Sequence, residues 1–439
     1  LDICLRPARK PCHDAPTWPR WTCSHRSTAL DGERALGFAE AMNEAPPTRD
    51  PQDLEALLQR ARALAPVVEA EARAAEQATT LTPKIVEGLR DSALLAAFLP
   101  NELGGQQRAL PDLVRLVEEV ARQDGSTGWC FGMNGIVGGI CAAYLPDEGL
   151  TRVYSPGTDA ARVLLAGGFP PQGRADREGD HWQVSAQMRF GSGIRHADFI
   201  ACTVVEFAGE APVMDGSMPR LRTFVVPHEQ VRIEENWDVA GLEGTGSCDY
   251  FLDDARLPDE LSFVSSTTQP CRGHGLYDLP LLSLASAPHA GFALGVGRRA
   301  LDEIAAHATS RQRLASSAIL AERPAFQRDF GRARTALDAA RSLVLERFDT
   351  LDRAGRTAAG AGLAERAGAT AAAVHAYEVA YSAAGMAFRA AGGAALFREG
   401  RLQRCFRDLA AGRQHIFATE EAWERVAQVF LGVGEPTMV

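Results

Sequence analysis

The chain has 439 residues, of which 46% are hydrophobic and 23% charged, enough to bury a large core in one unit or in two or three packed subdomains. Its formal net charge of −10 argues against a nucleic-acid partner, since domains of that kind carry a basic face. No stretch reaches the roughly 18 uninterrupted apolar residues of a membrane span, because the most apolar run, Trp129 to Leu145, is broken by Asn134 and several glycines.

Residues 1–41 mix Pro, Trp, Arg and Cys with no helical or strand period, and we expect a disordered leader, with Met42 as the native start. A zinc knot from Cys4, Cys12, His13, Cys23 and His25 is the rival reading, but these spacings match no common zinc pattern, so no metal site is expected. A secretory signal is not expected either, because no continuous apolar stretch is present there. The nine cysteines show no pairing rhythm, which suits a reducing cytoplasm.

From Met42 the texture becomes acidic and rich in Ala and Leu. Apolar residues recur at helical spacing over 52–98 (Leu54, Leu57, Leu58, Ala61, Leu64) and over 111–123. Asp50-Pro51 and Thr82-Pro83 supply helix starts, and Gly104-Gly105 a turn. The period drops to two between about 162 and 263. Trp182–Ala186, Phe199–Val205 and Arg222–Val226 read as strands separated by Gly, Asp and Pro turns, the pattern of a small barrel or sandwich. Long Ala-rich helices return over 290–310, 324–354, 362–391 and 401–430, which suggests a four-helix bundle. The expected class is α+β: a helical domain over 42–158, a β-barrel domain over 159–265 and the bundle over 280–434.

Four stretches carry a resemblance. They are Asp180–Gly193, the string from Trp237 to Ser247 (Trp-Asp-Val-Ala-Gly-Leu-Glu-Gly-Thr-Gly-Ser), Ala290–Gly295 continuing to Arg311, and Gly392-Gly393 through Arg407-Asp408. In this order they resemble the acyl-CoA dehydrogenase superfamily. Phe190-Gly191-Ser192-Gly193-Ile194-Arg195-His196, and Arg407-Asp408 followed by His415, are similar to its reduced-flavin-dependent, two-component (group D) monooxygenases. The resemblance implies an acyl-CoA dehydrogenase-like fold and an oxygenase component acting on a small organic substrate. It would take reduced FMN or FAD from a separate flavin reductase, react with dioxygen through a C4a-hydroperoxyflavin, and hydroxylate an aromatic or polyketide-like compound. A homotetramer is also implied.

The residues weigh the chemistries against each other. A dehydrogenase of this superfamily needs a carboxylate base for the α-proton of a thioester. Residues 409–419 hold no Asp or Glu, the stretch from Leu261 to Leu301 holds only Asp278, and Glu420 and Glu421 lie a turn too far on. Losing a general base costs about 10²–10⁴-fold, so a dehydrogenase with a displaced base is the weaker alternative, alongside a non-catalytic flavin-binding protein.

His415 stands where the relatives place a histidine over the flavin, and an imidazole can take a phenol-like proton at neutral pH; its plainer reading is local packing. The resemblance assigns Ser192 to a hydrogen bond with flavin N5, against a turn serine between glycines. It gives Trp129 to the lining of the flavin or substrate cavity, against a core role, and Asn134 to a place where some relatives face the substrate with histidine. It sets Arg311 on flavin phosphate across a subunit interface, against a surface arginine. Gly193, Gly392 and Gly393 would let backbone approach the cofactor. His196 and His289 are read as structural. The chain has no GxGxxG or Walker string and so offers no nicotinamide site of its own.

Overall fold

A computed structural model describes residues 51–267, 269–310 and 319–433. The leader expected over 1–41 and Arg311 lie outside the described residues.

The N-terminal block is helical: α1 (Pro51–Ala63), α2 (Ala65–Ala78), α3 (Pro83–Asp91), α4 (Leu110–Gln123), α5 (Gly125–Tyr144) and α6 (Asp147–Val153). The Thr82-Pro83 start is used as read. Thr82 caps α3 by accepting from the Ile85 amide at 3.4 Å, and Pro83 occupies the first turn, where no amide hydrogen is needed. On α4 the apolar stripe of Leu113, Leu116, Val117 and Val120 is buried. The apolar run from Trp129 falls within α5, which is buried nearly all round, as a central helix must be.

The middle of the chain forms a nine-stranded mixed sheet. Its strands are β1 (Leu165–Gly168), β2 (Gly173–Glu178), β3 (His181–Gly191), β4 (Phe199–Ala208), β5 (Ala211–Pro212), β8 (Leu221–Pro227), β9 (Arg232–Glu234), β10 (Cys248–Pro258) and β11 (Ser262–Val264). A separate hairpin joins β6 (Met214–Asp215) to β7 (Met218–Pro219). The main order is β11-β8-β4-β2-β3-β10-β9, with β1 and β2 both running parallel to β4 at different registers. Along β3, Trp182, Val184, Ala186 and Met188 alternate inward and pack with Ile200, Phe224 and Tyr250 into a core of their own. The ladder between β3 and β10 shifts register between Cys248, which pairs with Gly191, and Tyr250, which pairs with Met188, a bulge at the end of β3.

The C-terminal helices are α7 (Leu281–Ser310), α8 (Pro324–Gly355), α9 (Leu363–Ala391), α10 (Arg401–Gly412) and α11 (Glu420–Leu431). Two expectations change. First, α7 begins at Leu281 instead of 290 and runs through Pro288, because its length is buried against α4 and α9 and packing outweighs the missing amide bond. Second, the stretch 401–430 is two helices. The chain leaves the helix after Gly412 and restarts at Thr419, which is extended (φ −82°, ψ 163°), with Glu420 and Glu421 at the new N-terminus. The break carries His415.

Gly291 and Gly295 allow α7 to lie directly on α4. A Cβ at these positions would fall 2.6 Å from the Val114 carbonyl oxygen and 2.3 Å from that of Glu118. Charged pins hold α10 in place. Arg407 donates to Glu76 on α2 and to Glu243, and the Leu242 amide donates to Asp408 Oδ1 at 2.6 Å.

Candidate active site

Strand β3 ends in a strained turn. Phe190 holds φ at 62°, a left-handed value that is costly for a bulky side chain, and keeps 67% of its surface exposed with its ring edge-on to Trp237 at 6.2 Å. Gly193 follows at φ 72°, where a Cβ would strike the Asn134 side-chain oxygen at 2.6 Å. The geometry brings Ser192 to the mouth of the helical domain, where Trp129 donates its indole N–H to Ser192 Oγ at 2.9 Å. Asn134, one turn further along α5, donates to the Ser192 carbonyl oxygen at 3.0 Å. Beside this turn a cavity of about 340 Å³ opens among Thr79, Arg195, Asn236 and Trp237.

The Ser192 hydroxyl belongs to a directed chain. Thr245 donates its only hydroxyl proton to the Leu242 carbonyl at 2.8 Å, so Ser247, 2.7 Å away, must donate to Thr245. Ser247 then has no proton left for Ser192 at 2.8 Å, and Ser192 is the donor of that bond. Donation therefore runs from Trp129 to Ser192, Ser247, Thr245 and the Leu242 carbonyl, each bond polarising the next. Ser192 Oγ keeps one lone pair.

Behind Trp129 lies an aromatic cluster. The Trp129 ring meets His289 edge-on at 5.0 Å, Phe292 at 5.1 Å and His415 at 5.8 Å. The His289 and His415 rings lie 4.2 Å apart, and His415 stacks on Phe417 at 5.2 Å. His289 Nδ1 shares a hydrogen bond with the Tyr377 hydroxyl at 3.0 Å. His289 Nε2 and His415 Nδ1 are both enclosed and find no hydrogen-bond partner among the described residues. Burial disfavours the charged form of both rings. It lowers the pKa of His415 to about 4, although part of that residue's surface stays exposed, and it holds His289 well below the usual imidazole value, with His415 adding to the effect. Both are neutral at neutral pH.

The fold thus gathers Trp129, Asn134, Ser192, Gly193 and His415 in one place. Gly392 and Gly393 lie apart, exposed in the turn after α9 next to the exposed Leu396 and Phe397. Three contributors escaped the sequence reading. Ser247 and Thr245 stood inside a quoted string, flanked by glycine, where their hydroxyls signalled only a turn. His289 sits in the apolar string Ala287-Pro288-His289-Ala290-Gly291-Phe292, which reads as core until its unpartnered nitrogen is seen.

Among the described residues no carboxylate joins the aromatic cluster, while Glu235 and Asp238 line the cavity on the other side of Ser192. Asp278 precedes α7 and accepts from the Gly275 amide at 2.7 Å, while Glu420 and Glu421 are exposed. Among the described residues, no helix is long and apolar enough to cross a membrane and no group of side chains could hold a metal ion.

Comparison with known proteins identifies the family. Residues 51–149 match the acyl-CoA dehydrogenase N-terminal domain, and residues 287–420 match the C-terminal domain. The chain is 30% identical over 306 residues to the indole-3-acetate monooxygenase of Acinetobacter baumannii, covering 68% of this chain and 72% of that protein. It is 28% identical over 354 residues to the indole-3-acetate monooxygenase of Pseudomonas putida, covering 79% and 86%. The crystal structure of the HsaA monooxygenase from M. tuberculosis superposes with a TM-score of 0.79 at 22% identity, over 88% of this chain and 100% of that one. With the domain models, the sequence relatives and the superposition in agreement, this chain is a member of the acyl-CoA dehydrogenase superfamily, in its flavin-dependent monooxygenase branch.

Proposed function

We propose that this chain is the oxygenase component of a two-component system that hydroxylates an aromatic substrate, with Ser192 and His415 at the reacting centre. The observation that carries this reading is the directed hydroxyl chain, which leaves an acceptor at Ser192, with two neutral imidazoles behind Trp129 that each keep one nitrogen unpartnered among the described residues. Reduced flavin supplies the electrons that activate dioxygen, and the residues present fit it. A reduced flavin carries a hydrogen on N5 that the oxidised ring lacks, and Ser192 Oγ has a lone pair free to accept it. The exposed Phe190 ring and the adjoining cavity offer a surface for a planar ring system.

The remaining work belongs to the chain's own groups. Trp129, by donating to Ser192, fixes the direction in which that hydroxyl accepts. Asn134 holds the Ser192 backbone in place. His415, neutral because it is buried, has a bare nitrogen with which to take a proton from a phenol-like substrate. Phe292 and Phe417 supply apolar walls around the two imidazoles. The relatives that are indole-3-acetate monooxygenases support a bicyclic or monocyclic aromatic substrate. We extend the proposal to the domain limits 42–158, 159–265 and 280–434, to cofactor contacts at Gly193, Gly392, Gly393 and Arg311, to a cytoplasmic setting with a flavin reductase partner, and to a homotetramer.

The test is anaerobic titration with reduced FMN and reduced FAD, followed by oxygen in the presence of indole-3-acetate or a simple phenol. A hydroxylated product is expected from the parent. His415→Ala should lower product per flavin oxidised by about 10²-fold or more while flavin affinity stays within about 2-fold, because no bond to flavin is assigned to the imidazole. Absence of product with either flavin, together with dye reduction driven by an acyl-CoA, would overturn the reading.

A further inference from the structure

His289 is fully buried on α7, and its Nε2 has no partner among the described residues. A buried polar atom left unpaired is costly, so this nitrogen calls for a partner supplied by something bound. The Tyr377 hydroxyl settles what kind. That hydroxyl is itself fully buried, and its one hydrogen bond among the described residues is to His289 Nδ1 at 3.0 Å. If the imidazole donated, the phenolic proton of Tyr377 would have no acceptor. Tyr377 therefore donates, Nδ1 accepts, and the neutral ring must carry its hydrogen on Nε2. His289 is thereby a fixed donor, and His415, with its ring 4.2 Å away and its Nδ1 unpartnered, stands beside it. The groups packed on His289 are His415, Tyr377, Trp129 and Phe417, none of them charged.

We propose that His289 is a catalytic residue that donates its Nε2–H to the hydroxyl oxygen of a phenolic substrate while His415 receives that hydroxyl's proton. The substrate class this selects is a hydroxyarene, because one oxygen that both accepts and donates satisfies a fixed donor and a neighbouring bare imidazole together. In the transfer the substrate O–H bond breaks and an N–H bond forms on His415. The electron pair stays on oxygen, where the His289 hydrogen bond holds it. His289 remains neutral throughout, so the imidazolium formed on His415 has no second cation beside it. This assignment rests on the aromatic hydroxylation reading and deepens it.

The test compares binding of 4-cyanophenol and benzonitrile, which differ by one hydroxyl, to the full protein with excess reduced FMN under anaerobic conditions. The parent should prefer the phenol by about 10-fold or more, the order expected of a buried hydrogen bond that takes on charge. His289→Leu should bind benzonitrile like the parent and lose the preference to within about 2-fold. His289→Gln, which returns an N–H near the position of Nε2, should recover part of it. Tyr377→Phe, which frees the tautomer without touching the imidazole, should lower it by a smaller factor.

Should the parent show the preference and His289→Leu and His289→Gln both keep it in full, the assignment is wrong. It is equally wrong if the parent hydroxylates aromatic compounds yet binds the two ligands alike. If His289→Leu does not fold, the Gln and Phe variants decide on the same ratio. A parent that yields no hydroxylated product under the conditions of the preceding test overturns the function itself, and the two failures are thereby told apart.

Discussion

At the residue scale the site is a matter of where protons are committed. Ser192 could donate or accept, and the choice is made two hydroxyls away, where Thr245 spends its proton on the Leu242 carbonyl. Removing the middle hydroxyl should therefore act at a distance from the flavin. Ser247→Ala leaves Ser192 in place but frees its proton, so Ser192 can then offer a donor to oxidised flavin, which has no N5 hydrogen. We expect the ratio of affinities for reduced over oxidised FMN to fall by roughly 2- to 13-fold, the span of one net hydrogen bond of about 0.5–1.5 kcal/mol. Anaerobic and aerobic titrations of parent and variant measure it, and an unchanged ratio would show that the hydroxyl chain does not set the polarity of Ser192. Such a commitment is invisible in a sequence. Ser192 could be picked out because Phe190-Gly191-Ser192-Gly193 is a distinctive string, whereas the partners of Ser192 lie at positions 129 and 247. His289 was hidden for the same reason, since its partner, Tyr377, lies on another helix.

The elements were easier to read than the site. Periodicity alone located α4, β3, β4, β8, α8 and α9, because each buries one face or two against a neighbour and so must alternate with its own period. What it misplaced were ends and breaks. The interruption after Gly412 has no proline to mark it, and Pro288 marks an interruption that burial prevents. Helix α10 also carries the molecule's charged anchor, and that anchor titrates. Burial raises the Asp408 pKa to about 7, with Asp124 adding repulsion. A carboxyl raised in the fold holds more protons there than in the unfolded chain, so its contribution is present at low pH and is lost as pH rises through about 7. The buried histidines act in the opposite sense. His415, at about 4 in the fold against an ordinary 6.5, contributes stability above 6.5 that is lost as pH falls towards 4. Asp408→Asn keeps an oxygen for the Leu242 amide and removes only the opposing term. The rise in melting temperature from about pH 5 to about pH 8 should therefore be larger in the variant than in the parent. Equal rises by calorimetry would mean that Asp408 does not titrate in this window.

For the whole molecule, the turn after α9 is unusual. Leu396 and Phe397 are 72% and 70% exposed. Two adjacent large apolar side chains left this exposed suit a face that meets another protein, and the proposed tetramer is what would cover it. Replacing Leu396 and Phe397 together by serine should shift the light-scattering mass at micromolar concentration towards the monomer, and a parent that is already monomeric would refute the assembly. The charged pins have a further consequence, in the order of events as the chain is made. Arg407 reaches Glu76 across 331 positions, and the Leu110 amide reaches Asp352 across 242. At a synthesis rate of roughly 5–20 residues per second, the helices that hold Glu76 must wait on the order of 15 to 65 seconds for their partner to leave the ribosome. For roughly half of that interval, until α7 has been made, the buried face of α4, with Leu113, Val117 and Val120, lacks the helix it packs against. The apolar face of α4 is therefore exposed on the nascent chain until α7 follows it, which is the interval in which a holding chaperone would act.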